Sequence, residues 1–128
     1  MFGSSDNNFR LIGIVKGNPK ALITRSEKKV SSFILCIKDA IKKEDIVDVK
    51  CFAIGTASEQ AIQWCRDGNV VGVIGGLSEI QRKVMKTQIH TSIGFIVTDI
   101  FLIKQITKKK LSLEQFKNII NTYTFEDF

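Results

Sequence analysis

Lys50, Phe52 and Ile54 occupy every second position at the end of the run Ile46–Ile54, with Asp48 two residues earlier. Successive side chains of an extended strand point to opposite faces, so these four share one face. A cation beside an aromatic ring on an exposed sheet can meet the phosphates of an unpaired nucleic-acid strand and stack one of its bases. The alternate positions, Val47, Val49, Cys51 and Ala53, make a clean apolar face and are the expected core. The run Val30–Lys38 divides the same way, with Phe33, Leu35 and Ile37 inward and Ser32, Ile34, Cys36 and Lys38 outward. Burial of these outer residues by oligomerisation is an equal expectation for Ile34 and Cys36.

Other chemistries find no matching set of residues. The cysteines are Cys36, Cys51 and Cys65, none in a CxxC pair, and the only histidine is His90. A zinc site needs four ligands at suitable spacing, so buried free thiols in a reducing compartment are expected. The acids Glu44, Asp45 and Asp48 flank a strand. They read as a solvated rim rather than a metal-dependent nuclease site. Neither an enzyme nor a bound cofactor or metal is expected.

The elements that must position the row are five strands and one helix. The strands are Phe9–Val15, Val30–Lys38, Ile46–Ile54, Asn69–Leu77 and Thr91–Gln105, all rich in β-branched and aromatic residues. A turn is expected at Lys16-Gly17-Asn18-Pro19. Between the third and fourth strands, Thr56 and Glu59 have the spacing of a capping box. Ala57, Ala61, Trp64 and Cys65 then recur at helical spacing, and Gly68 is placed for a left-handed stop. An ordinary amphipathic helix in an α+β domain has the same local features. Five strands with a helix after the third nevertheless match an all-β, five-stranded Greek-key barrel of the oligonucleotide-binding (OB) type. The barrel is expected over residues 7–106. Residues 107–128 are expected to hold a short C-terminal helix with Ser112 at its N-cap and Leu113, Phe116, Ile120 and Tyr123 on one face.

At 128 residues, 44% hydrophobic and 25% charged, the chain suits one globular domain. No apolar run is long enough to cross a bilayer as a helix, so no membrane partner is expected. The opening MFGSSDNNFRL lacks a basic-then-apolar leader, and a cytoplasmic, nucleoid-associated location is expected. Nineteen Lys and Arg against thirteen Asp and Glu give a net charge of +6, which favours a polyanionic partner. The cations gather in three loops of the expected barrel. Lys38, Lys42 and Lys43 follow the second strand, and Arg82, Lys83 and Lys86, with His90, follow the fourth. Lys16, Lys20, Arg25, Lys28 and Lys29 follow the first.

Two segments resemble the bacterial single-stranded DNA-binding proteins, over roughly residues 7 to 104. LIGIVKGNPK is similar to that family's opening strand, with Gly13, Asn18 and Pro19 in place. IGTASEQAIQWCRDGNVVGVIGGL resembles its helix and following strand. There Gly55, Glu59, Ala61, Trp64, Arg66, Gly68, Val71 and Gly75 fall in register without a gap. The resemblance implies a homotetramer that coats single-stranded DNA in replication, recombination and repair. It also implies that Lys50 is a basic DNA contact and that Ile54 replaces a phenylalanine before Gly55. Three stacking aromatics of the family are missing. Asp48 stands for one, Ile41 for another, and no aromatic lies between Leu77 and Thr91. Phe52 is the ring expected to serve instead. The family's flexible tail is replaced by Lys108-Lys109-Lys110 and the LSLEQFKNIINTY segment, although Phe125-Glu126-Asp127-Phe128 resembles its acidic tip.

The expected function is non-catalytic single-stranded DNA binding by a homo-oligomer, tetramer or dimer. The expected contacts are Lys16, Lys38, Lys42, Lys50, Phe52, Ile54, Arg82, Lys83 and Lys86. Phe125, Glu126, Asp127 and Phe128 are the expected contacts for replication or repair proteins. The alternatives are an RNA-binding barrel and a protein-interaction barrel, such as a primosome accessory, with weak nucleic-acid binding.

Overall fold

A computed structural model of the chain describes residues 7–23, 28–42, 44–85, 88–105, 114, 115, 117 and 118. The side chains of 22, 23, 80–85 and 88–91 are outside that description. The elements run β1 (Phe9–Ile23), β2 (Lys29–Lys38), β3 (Ile46–Ile54), α1 (Thr56–Trp64), β4 (Val70–Met85) and β5 (Gln88–Lys104). They close into a barrel of order β1-β2-β3-β5-β4. Every pairing is antiparallel except β3–β5, whose parallel ladder joins Cys51, Phe52 and Ala53 to Phe95, Ile96 and Val97. A closed five-stranded barrel with one helix between β3 and β4 is the OB architecture.

β1 serves two neighbours because it bends. Its first half pairs with β4 from Phe9↔Gly75 to Ile14↔Val70, and its second half pairs with β2 out to Ile23↔Lys29. The expected turn at Lys16–Pro19 is therefore an irregularity within a strand that continues to Ile23. Gly17 takes φ 77 there, a backbone conformation open to glycine at little steric cost, and its N–H donates to Asp67 Oδ1 at 2.7 Å. Likewise, the expected loop after the fourth strand is mostly hairpin, since β4 and β5 pair out to Met85↔Gln88. β5 carries an extra residue at Thr98, where Ile74 pairs with Asp99 but Gly75 with Val97. Such a bulge shifts the inward set of side chains from Phe95 and Val97 to Ile100.

The core follows the alternation of the strands. Val15, Phe33, Leu35, Cys51, Ala53, Val71, Val73 and Val97 are buried inside the barrel. α1 closes one end with Ala57, Ala61 and Cys65, and Trp64 packs at the edge, half-buried. Small residues on this face let the helix sit close against the sheet. Ile37 and Val49 pack on the core from its margin, and Val47, expected inside, is 37% exposed at the barrel's rim. The expected capping box does not form. The N-cap is Gly55 (φ 64), it makes no side-chain cap bond, and Glu59 instead pairs with Lys29 Nζ at 3.2 Å. Gly68 takes a positive φ, 88, and its N–H donates to the Val15 carbonyl, but it is not the helix stop, since α1 ends at Trp64 with Cys65 as its C-cap.

Cys36, assigned to the outer face by alternation, is 2% exposed within the single chain. Its Sγ donates to Asp48 Oδ1 at 3.0 Å, so the neighbouring acid on β3 takes part in covering it. All three cysteines are free and buried, as expected. Of residues beyond 105, only Glu114, Gln115, Lys117 and Asn118 are described, each with helical backbone.

Candidate nucleic-acid interface

The register across β1, β2 and β3 builds the site in rows. Lys16 faces Ile34, and Ile34 faces Lys50. One step along, Lys20 faces Ser32, Ser32 faces Phe52, and Phe52 faces Ile96 on β5. Val30 and Ile54 form a third row. Lys16 and Lys20 are both outward because the irregularity between them adds two residues to β1 and preserves parity.

Two grooves result, and they adjoin along the second row. The first, about 140 Å³, is lined by Lys16, Asn18, Lys20, Ser32, Ile34 and Lys50. The second, about 480 Å³ and mostly apolar, is lined by Val30, Phe52, Ile54, Leu77, Ile96 and Thr98, with Ser78 and Glu79 on its β4 side. Lys50 Nζ lies 5.5 Å from the centroid of the Phe52 ring, which holds the cation where the grooves meet. An exposed contact of this kind contributes about 0.5–1 kcal/mol. Ile54 is 43% exposed and Leu77 48% exposed, so the second groove offers apolar surface to solvent. Cations lead into one groove and flat or aliphatic surface lines the other. That pairing suits a chain with charged backbone and planar bases.

Asp48 modifies the first groove. Its Oδ2 accepts from Lys16 Nζ at 3.0 Å while Oδ1 accepts from Cys36 Sγ. The Cys36 thiol and the Lys16 ammonium hold the Asp48 carboxyl below its ordinary range. The hydrogen bond and charge of Asp48 in turn raise Lys16.

The sequence-predicted residues are brought together in part. Lys16, Lys50, Phe52 and Ile54 lie along the two grooves. Lys38 stands opposite Ile46, four residues along β2 from Ile34, which is about 13 Å of strand. Lys42 lies in the β2–β3 turn, where Asp39 Oδ1 accepts the N–H groups of Ile41 and Lys42, each at 2.8 Å. Lys38 and Lys42 thus lie apart from the grooves, in a stretch that also carries Asp39, Glu44 and Asp45. Lys29 is removed from the grooves by its pairing with Glu59 beside α1. The side chains of Arg82 and Lys83, all of Lys86, and Phe125, Glu126, Asp127 and Phe128 lie outside the described residues. Sequence reasoning left Lys20, Ile96, Leu77 and Thr98 out of the interface. The shared parity of Lys16 and Lys20 carried a signal for the first. The others needed the β3–β5 and β4–β5 registers.

Among the described residues, no three His, Cys, Asp or Glu side chains gather as a metal site, and no helix is long and apolar enough to cross a membrane.

No family model matches the chain, and no curated protein matches it. Among solved structures it is similar to one described as Plasmodium falciparum SSB complex with ssDNA. That match has a TM-score of 0.60 at 20% identity, covering 81% of this chain and 100% of the other. A likeness at this identity is one of fold, and the fold in common is the OB barrel.

Proposed function

We propose that this chain is a non-catalytic single-stranded DNA-binding protein, a divergent relative of the bacterial family. The observation that carries the reading is the continuous outer surface in which Lys20, Lys50 and Phe52 border adjoining cationic and apolar grooves. Phosphates run along the lysines, and bases lie against Phe52 and the aliphatic wall of Ile54, Leu77 and Ile96. Sequence-tolerant binding follows, because every base has a π-face and none of these apolar groups reads a base edge. Action as a homo-oligomer in replication, recombination or repair, in the cytoplasm, belongs to the same proposal. So does partner recruitment by Phe125–Phe128.

The test is titration of a fluorescent oligo-dT at two salt concentrations, with the molar mass of the complex measured. Tight binding with a log–log salt slope of roughly −0.7 per phosphate contact is expected. Competition with a matched RNA strand separates DNA from RNA preference, since RNA preference requires contacts to the 2′-hydroxyl. A protein-interaction module is the second reading, favoured by the exposed apolar groove at Ile54 and Leu77. A folded protein that fails to bind oligo-dT at low salt selects it.

A further inference from the structure

We infer that Asp48 limits the strength of the nucleic-acid site by holding Lys16 out of phosphate contact. The inference rests on the reading above and concerns one of its three lysines. Lys16, Lys20 and Lys50 line the same groove, yet Lys16 Nζ sits 3.0 Å from Asp48 Oδ2. An isolated surface ion pair of this kind is worth little, because its long side chains are free to move. This acid is anchored at its other oxygen, since Oδ1 receives the thiol of Cys36, a residue 2% exposed in the wall between β1 and β3. The carboxylate therefore stays at the groove's edge, two residues before Lys50 on the same face of β3. A phosphate approaching Lys16 must displace a fixed negative charge and also meets that charge directly. Lys20 and Lys50 carry no such partner among the ion pairs of the described residues. Asp48 thus acts as a built-in competitor that lowers affinity.

The experiment measures oligo-dT affinity and its salt slope for wild type, Lys16→Ala, Asp48→Asn and the double variant, with circular dichroism confirming the fold of each. Asparagine keeps an oxygen for the Cys36 thiol, so the wall is preserved while the charge is removed. Asp48→Asn is expected to bind about fivefold more tightly at low salt and to steepen the slope by about 0.7, one added phosphate contact. Lys16→Ala alone is expected to leave the salt slope unchanged and to lose less affinity than Lys50→Ala, and the double variant to lose the gain. A slope unchanged in Asp48→Asn overturns the inference, and so does a gain that survives Lys16→Ala or a Lys16→Ala loss as large as that of Lys50→Ala. In each of those cases oligo-dT still binds and the proposed function stands. Folded wild type that does not bind oligo-dT at any salt removes both.

Discussion

Lys50 holds its ammonium 5.5 Å from the centre of the Phe52 ring, two residues further along the same face of β3. The two side chains should fail in different ways. Phe52→Ala removes a stacking surface and is expected to weaken oligo-dT binding by about 1–3 kcal/mol with the salt slope unchanged. Lys50→Ala is expected to flatten the slope by about 0.7. Salt-dependent fluorescence titrations of both variants check this, and equal slopes in the two would contradict it.

Gly75 pairs with Val97 beside the bulge at Thr98. A Cβ there would collide with the Ile96 carbonyl, which is backbone and cannot step aside. Gly75→Ala is expected to lose about 1–3 kcal/mol of stability, or more if the β4–β5 ladder parts. Urea denaturation measures it, and a midpoint equal to wild type would show that the strands can separate freely.

The buried thiols make a chemical prediction. Burial, with help from Asp48, pushes Cys36 up to about 12, burial alone pushes Cys65 up to about 12, and Cys51 is raised further. Near pH 8 the native protein should react negligibly with a thiol reagent and release all three on unfolding. The linkage has a definite sign. The folded values lie above the unfolded value of about 8.5, so this part of the stability is full below that pH and is lost as pH rises towards the folded values. Rapid labelling of native protein would contradict the buried assignment.

Two acids act in the opposite sense. Asp48 is depressed by the Cys36 thiol first and Lys16 second, and Asp39 by the backbone N–H groups of Lys42 and Ile41. Their folded values lie below the unfolded carboxylate value of about 3.9. The stability they supply is present above that pH and disappears as pH falls through the folded values. Asp48→Asn and Asp39→Asn should each flatten the decline of the urea midpoint below about pH 4. An acid profile identical to wild type would rule out that linkage.

The strands were legible wherever one face had to be apolar. β3 runs over the span that its alternation marked, Ile46–Ile54, because its inward residues Cys51 and Ala53 must reach the barrel centre. Strand ends were harder to read. Gly17, Asn18 and Pro19 have the chemistry of a turn, yet β2 supplies partners on both sides, so the strand bends and continues to Ile23. The β4–β5 hairpin outran its apolar run because a ladder needs backbone groups, not hydrophobic side chains. Thr56 and Glu59 had the right spacing for a cap, but the helix starts one residue too early in the pattern, at Thr56 itself. Cys36 obeyed alternation and was still covered, since exposure depends on Asp48 across the strand as well as on parity. The Lys50–Phe52–Ile54 face was readable from one strand. Its continuation through Ile96 and Leu77 was not, because that surface exists only once β5 lies beside β3.

That meeting of β3 and β5 is a short seam of three registered pairs, Cys51↔Phe95, Phe52↔Ile96 and Ala53↔Val97. It joins segments with α1 and all of β4 between them, so its closure costs loop entropy against only three pairs, where the β1–β4 pairing has six. The seam is expected to zip last during folding and to part first during native breathing, which the amide exchange of Ala53 and Val97 against that of Leu35 would reveal. Phe52 is one of its teeth. Under the proposed function, a strand of DNA stacked on this ring would rivet the cylinder shut and couple occupancy to the integrity of the whole fold.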